Sequence, residues 1–215
     1  NNDTAYETAI SLNNNGIVVN SVIDIREKSN STIAKQTEKL GIKIHWKYTV
    51  VETYGYKKIK SIDLMKLSDD GPRVVGNKLN EVCDCLGISG GWTPLVHLFT
   101  QSGGKLKFRN TDNVFLPDKH DYNPLSVGSC NGDFELDDVI KNSNKLVKEF
   151  LNTDNSDFDN LDVICSKEVD KTNIWLLPSN KPFGKTKPFL DFQNDSTAKD
   201  VKLALREGFK SIEHV

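Results

Sequence analysis

Two glycines frame a five-residue turn that is the best candidate for cofactor chemistry in this sequence. Gly128 and Gly132 enclose Ser129, Cys130 and Asn131, between an apolar stretch and a predicted helix. A turn ahead of a helix presents backbone N–H groups that can hydrogen-bond an anion or a cofactor ring. The turn therefore predicts contact with a cofactor, and the alternative is a tight strand-to-helix connection.

A second candidate is Asp24, which ends a β-branched stretch where dinucleotide-binding folds place a ribose-binding carboxylate. Such sites also need a G-x-G-x-x-G loop, because only glycine lets the backbone reach a pyrophosphate. The corner ahead of the first predicted helix reads N-N-D at residues 1–3 and has no glycine. We interpret Asp3 as a helix cap, and we expect Asp24 to end a strand without binding ribose.

Cysteines and histidines do not predict a metal or a catalytic residue. Cys83 and Cys85 would share one face of a strand, but a metal site needs about four ligands. Neither a second C-x-C nor a nearby pair of histidines accompanies them, and the four histidines are scattered. The turn Ser89-Gly90-Gly91-Trp92 is interpreted as a crossover between domains.

Composition excludes several classes of partner. The 215 residues are 37% hydrophobic, which is enough for a core, and the formal net charge is only −2. Charges of both signs are interspersed, so neither nucleic acid nor a membrane is expected as a partner. Four cysteines without an 18-residue apolar segment favour a reduced, cytoplasmic protein. The first residue is not Met, and we expect the chain to be a piece of a longer protein.

Alternating helix and strand patterns predict the elements that position these residues. Capping residues and glycine stops bound the two predicted helices before residue 42, and β-branched or alternating stretches mark the strands. The predictions are helices at 3–12, 31–40 and 136–151, strands at 17–26, 42–46 and 81–88, a strand ending at 126–128, and an antiparallel β-meander at 47–67.

Beyond residue 152 the composition changes. A polar linker follows, with a domain boundary near residues 152–160, and residues 161–190 look irregular. Thr197 and Asp200 have capping-box spacing ahead of a helix that ends at Gly208, and Ser211 is expected to cap another helix. These patterns predict the α/β fold class, with a Rossmann-like three-layer nucleotide-binding domain and a β-meander. The rest of the predicted fold class, part of a second FAD/NAD-type domain and a small C-terminal helical module, is what the following family resemblance implies.

Four strings give the chain a resemblance to a known family. They are N-N-D-T-A-Y at 1–6, I-S-G-G-W-T-P-L-V-H-L-F-T-Q-S-G-G-K-L at 88–106, V-G-S-C-N-G at 127–132 and F-L-D-F-Q-N-D-S-T-A-K-D-V at 189–201. With them the chain resembles the alpha subunit of heterotetrameric sarcosine oxidases. The resemblance implies an inserted NAD(P)-binding-type domain at 1–95, a return segment of the FAD/NAD(P)-binding-type domain at 96–155, and a linker with a helical module at 156–215.

The resemblance also implies a cofactor site. NAD would be held by the domain to which the return segment belongs, with most of its site outside this sequence. The match at 127–132 carries Ser129, Phe134 and Leu136 over as cofactor-binding residues. Asn131 and Gly132 are added from the geometry of the turn.

For the intact enzyme the resemblance implies oxidative demethylation of sarcosine to glycine. Oxygen would become hydrogen peroxide and the one-carbon unit would pass to tetrahydrofolate, with FAD and FMN in a complex of alpha, beta, gamma and delta subunits. The fragment alone is expected to be inactive. One alternative is an opine or amine dehydrogenase subunit, but Leu190 and Phe192 stand where a [2Fe–2S] cluster would need thiolates. The other alternative is a noncatalytic scaffold that only docks partner subunits.

Overall fold

A computed structural model describes residues 2–70, 73–122, 124–152 and 174–210. The chain forms two compact units: residues 4–88 group with 174–210, and residues 2–3 group with 89–152. Both units mix helices with sheets, so the α/β class is confirmed in that broad sense. The Rossmann-like three-layer arrangement and the three ranges 1–95, 96–155 and 156–215 stay predictions.

The first unit opens with an α-β-α-β segment. It comprises α1 (Thr4–Asn14), β1 (Ser21–Asp24), α2 (Thr32–Lys39) and β2 (Lys43–Trp46). β1 and β2 pair in parallel, which brings Asp24 opposite Trp46 at their carboxyl ends. These elements confirm both predicted helices and both predicted strands, although the first strand is shorter than the predicted 17–26.

Local signals explain why these elements end where they do. The Ser31 hydroxyl accepts a hydrogen bond from the Ala34 N–H at the start of α2, and Gly41 adopts a left-handed φ of +79° just after that helix. The helices and strands of this segment pack around a small buried core formed by Tyr6, Ala9, Val22, Ala34 and Ile42.

The predicted β-meander is confirmed and is larger than expected. β3 (Tyr48–Gly55), β4 (Ile59–Leu67) and β5 (Val74–Val82) form an antiparallel sheet in that order. The predicted strand at 81–88 is wrong, since β5 ends at Val82 and residues 83–96 form neither helix nor strand. The last ladder bond runs from the Cys83 N–H to the Lys60 carbonyl, and the glycines beyond it leave no continuous strand.

A buried imidazole joins the end of the meander to the parallel pair. Nε2 of His45 lies 2.5 Å from Oε1 of Glu81, and the Ser21 hydroxyl donates to the other oxygen over 2.6 Å. His45 is 6% exposed. One carboxylate from β5 therefore holds both parallel strands.

The second unit contains α3 (His97–Gln101), the hairpin β6 (Lys105–Arg109) with β7 (Val114–Lys119), and α4 (Leu136–Leu151). The helix at 136–151 is confirmed. The strand predicted to end at 126–128 is wrong: Val127 is extended but pairs with no described strand, and residues 128–131 form a 3-10 turn. The preceding Pro124 has no N–H to donate to a ladder.

The C-terminal part of the first unit is small. β8 (Phe189–Asp191) pairs with β9 (Ser196–Thr197), and α5 (Ala198–Arg206) follows. The predicted capping box is confirmed. The Thr197 N–H donates to the Asp200 carboxylate, and the Thr197 hydroxyl accepts a hydrogen bond from the backbone at the start of α5. The predicted linker core at 153–160, residues 161–173 of the irregular stretch and the helix capped by Ser211 lie outside the described residues. The described part of that stretch, residues 174–188, is irregular apart from a short 3-10 turn at Phe183–Lys185.

Candidate functional site

The predicted cofactor-binding residues lie on the 3-10 turn and at the start of α4. Ser129, Asn131 and Leu136 are exposed, whereas Gly132 and Phe134 are half-buried. The N–H of Gly132 donates to the Ser129 carbonyl, and the next N–H donates to the Gly128 carbonyl. Two of the N–H groups expected to face a ligand are therefore used inside the turn.

Gly132 is required by the packing of this turn. Its φ is +83°, a left-handed conformation that disfavours any residue with a Cβ. A Cβ here would lie 2.7 Å from Cδ2 of Leu116 and 2.8 Å from Nη2 of Arg109. The glycine thus lets the turn approach the β6–β7 hairpin, a structural requirement that the sequence analysis did not weigh.

Arg109 holds the turn against the hairpin. Its Nη2 donates to the Gly132 carbonyl over 3.1 Å, and its Nε donates to Oδ1 of Asp112 over 2.8 Å. Asp112 is 7% exposed, and the hydrogen bond from Arg109 outweighs burial to lower the pKa of that carboxyl. The same bond, aided by the charge of Asp133, raises the pKa of Arg109. The guanidinium is therefore a fixed positive charge beneath the turn.

Asp133 is a further candidate residue that the sequence analysis missed. Its Oδ2 is buried and accepts no hydrogen bond from any described residue. A carboxylate oxygen is an acceptor only, so a buried one without a donor is costly until a ligand supplies a hydroxyl or N–H. An acid directly after Gly132 was the available signal, but its burial could not be read from the sequence.

Negative charge surrounds the same turn. Asp133, Glu135, Asp137 and Asp138 fall within six residues at the beginning of α4. Acids in the first helical turn stabilise the helix through its dipole, and together they repel a phosphate group. The site consequently fits a hydroxyl-bearing part of a ligand better than a pyrophosphate.

Asp24, the second sequence candidate, is buried at 5% exposure. The hydrogen bonds of Arg26 and Tyr6 together outweigh the desolvation that burial causes, so the pKa of Asp24 is lowered. The carboxylate therefore remains charged inside the protein and is held by its own neighbours.

A charged network covers part of the meander. Lys78 Nζ lies 2.7 Å from Glu52 and 3.1 Å from Asp63, and the Tyr54 hydroxyl donates to Asp63 over 2.6 Å. Lys181 forms a further ion pair with Glu52. Hydrogen bonds from Asn80 and Tyr54 to Asp63, and from Lys181 and Lys78 to Glu52, lower the pKa of each acid to about 2. Each charge already has a partner, as in a structural network.

Metal binding and membrane crossing find no support in the described ranges. Within them no three His, Cys, Asp or Glu side chains are grouped to hold a metal ion. Burial raises the pKa of the Cys83 thiol, with Asp84 and Glu81 adding to the effect, which disfavours the reactive thiolate. Among the helices described, none is long and apolar enough to traverse a bilayer.

Known proteins resemble this chain along its length. Residues 185–215 match the family model described as the sarcosine oxidase A3 domain. Sarcosine oxidase subunit alpha of Corynebacterium sp. strain P-1 is 26% identical over 223 residues, and that of strain U-96 is 26% identical over 221 residues. Each alignment covers the whole of this chain and 22% of the relative.

A solved structure is also similar in outline. The crystal structure of L-proline dehydrogenase from P. horikoshii aligns with 95% of this chain and 41% of that chain, with 15% identity and a TM-score of 0.43. A likeness of that size carries no argument. This chain is therefore similar along its whole length to sarcosine oxidase alpha subunits and spans about a fifth of the length of the two relatives it matches.

Proposed function

We propose that this chain is part of an amine-oxidising oxidoreductase and contributes to its NAD site. The intact enzyme would demethylate sarcosine to glycine oxidatively, reduce oxygen to hydrogen peroxide and pass the one-carbon unit to tetrahydrofolate. The identity of both Corynebacterium relatives as sarcosine oxidase subunits supports the substrate. FAD, FMN, the beta, gamma and delta subunits and a cytoplasmic location belong to the same proposal.

The buried oxygen of Asp133 is the observation that carries the NAD assignment. NAD contains two riboses, and each presents hydroxyl groups that can donate to a carboxylate oxygen. Oδ2 has less than 1 Å² of accessible surface, so a ligand hydroxyl would reach it only through a local opening of the turn, and it would then satisfy an acceptor that no described residue satisfies. The residues at this turn therefore fit a ribose of NAD, with Ser129 and Asn131 exposed beside it.

Neighbouring residues would keep this acceptor in place. Arg109 fixes the Gly132 carbonyl and is a positive charge that interacts with Asp133. Gly132 permits the close approach of the turn to the hairpin, and Phe134, the next residue after Asp133, is half-buried. The acids at the start of α4 favour a ribose over a phosphate here. When bound, NAD supplies a nicotinamide that can accept hydride.

Titration of NAD into the intact alpha subunit tests the proposal. We expect calorimetry to detect binding with a dissociation constant in the micromolar-to-millimolar range that is typical of metabolites. A subunit that shows no binding up to millimolar NAD would rule out the NAD assignment and leave the activity of the whole enzyme to be established separately.

A noncatalytic scaffold is the second candidate function, and exposed apolar side chains favour it. In the unit that contains the turn, Trp92, Leu95, Leu98 and Phe150 are each more than 60% exposed. Surfaces of this kind commonly bind other protein segments. The scaffold and the NAD site differ in the titration above, since only the NAD site binds the nucleotide.

A further inference from the structure

The carboxyl end of the parallel pair is the other place where a nucleotide would be expected. In open α/β sheets, ligands bind beyond the carboxyl ends of the strands, and an acid at the end of a strand hydrogen-bonds the ribose hydroxyls. Asp24 is the last residue of β1 and lies in register with Trp46, the last residue of β2. Its position therefore matches that of a ribose-binding acid.

We infer that Tyr6 and Arg26 close this position to nucleotides by taking the acceptors that a ribose would need. Oδ1 of Asp24 accepts from the backbone N–H of Arg26 over 2.8 Å and from its Nε over 3.1 Å. Oδ2 accepts from Nη2 of Arg26 over 2.9 Å and from the Tyr6 hydroxyl over 2.6 Å. A carboxylate offers about four acceptor sites, and these donors fill them.

Charge and burial make the closure hard to reverse. Arg26 is 6% exposed and Tyr6 1% exposed, so neither side chain can swing into solvent without opening the core. The guanidinium bonds are charge-assisted and therefore stronger than those of a neutral hydroxyl. Displacing Arg26 would also leave a cation buried without its carboxylate, which is strongly unfavourable. A ribose that reached Asp24 would exchange stronger bonds for weaker ones.

Aromatic packing fixes the closing side chains. The Tyr6 and Trp46 rings lie 6.1 Å apart, and the Arg26 guanidinium lies 6.0 Å from the centre of the Tyr6 ring. This packing holds the Tyr6 hydroxyl and the Arg26 guanidinium in place on the Asp24 carboxylate. Tyr6 and Arg26 thus occupy the position that a ribose would take, and the α-β-α-β segment has a structural role.

Asp24 and the proposed NAD site at Asp133 are separate positions in the chain. The inference about Asp24 depends on the NAD proposal only for the choice of probe. The ¹³C resonance of the Tyr6 ring carbon that bears the hydroxyl reports directly on the bond to Asp24. The intact subunit labelled with ¹³C-tyrosine would be titrated with NAD and, separately, with adenosine. Tyr6→Phe identifies the resonance by its disappearance, and it removes only one hydroxyl, so the fold should survive.

We expect the Tyr6 resonance to stay in place with either probe, and NAD affinity in Tyr6→Phe to remain within about twofold of wild type. An unchanged resonance together with no NAD binding anywhere would support the closure and remove the proposed NAD site. A shift with NAD that is lost in Asp133→Asn would be an indirect effect of the proposed site and would leave the closure standing. A shift with adenosine, or one that persists in Asp133→Asn, would overturn the inference.

Discussion

Nη2 of Arg109 donates a hydrogen bond to the main-chain carbonyl of Gly132 over 3.1 Å. The bond joins a hairpin to a turn 23 residues further along the chain, and the guanidinium is itself held by the buried Asp112. This arrangement places the Asp133 carboxylate close to a fixed positive charge and leaves one of its oxygens without a donor from the described residues. The proposed site is thus built by contacts distant in sequence.

Replacing Gly132 with Ala should destabilise the unit that contains the turn. A Cβ is strained at a φ of +83° and would also meet Leu116 and Arg109 at less than 3.0 Å. The left-handed conformation alone costs about 1–2 kcal/mol for a non-glycine residue. Urea unfolding of the two alanine variants Gly132→Ala and Gly103→Ala separates these effects, because Gly103 is also left-handed but has nothing within 4 Å of its Cβ position. Equal losses of stability would show that the close approach to the hairpin is unimportant.

Removal of the His45 imidazole should loosen the junction between the parallel strands and the meander. His45→Ala leaves the partly buried Glu81 carboxylate without its 2.5 Å partner and leaves a small cavity, for a loss of about 1–3 kcal/mol. Lys43→Ala is the matched control, because Lys43 lies 3.9 Å from the same carboxylate and its side chain is 62% exposed. We expect the control to lose much less in chemical denaturation. A control that lost as much as His45→Ala would contradict the assignment.

Acid should weaken the charged network of the meander. The folded-state pKa of Asp63 is about 2, below the ordinary value of about 3.9, so its contribution is present above the ordinary value and is lost as pH falls through about 2. The melting temperature of wild type should therefore fall between about pH 4 and pH 2 more steeply than that of Asp63→Asn. Asp121→Asn, at an exposed position, serves as the control. Parallel curves for wild type and Asp63→Asn would contradict the lowered pKa.

Local signals predicted most of the helices and several strands. Ser31 and Gly41 bound α2, Thr197 with Asp200 begins α5, and the helix predicted at 136–151 is observed as α4 with the same bounds. The capping bonds and the left-handed glycine act within a few residues, so the sequence alone contains these signals.

Features that depend on distant contacts were not predictable in the same way. The apolar stretch at 81–88 has the composition of a strand but no partner beyond Val82, and the hairpin formed by β6 and β7 depends on pairing. For Asp24 the expectation of a structural role agrees with its contacts, but Tyr6, a partner 18 residues away, could not be identified from spacing.

Calorimetric titration of the intact alpha subunit with NAD tests whether Asp133 binds the cofactor. The variants to compare are Asp133→Asn and Asp138→Asn. Both changes remove one negative charge from the start of α4. Of the two residues, only Asp133 has a buried oxygen that accepts no hydrogen bond from the described residues. We expect Asp133→Asn to weaken NAD binding roughly tenfold or more and Asp138→Asn to leave it within about twofold of wild type. Unchanged affinity in Asp133→Asn would contradict this expectation, and tighter binding would show that Asp133 faces a phosphate instead of a ribose.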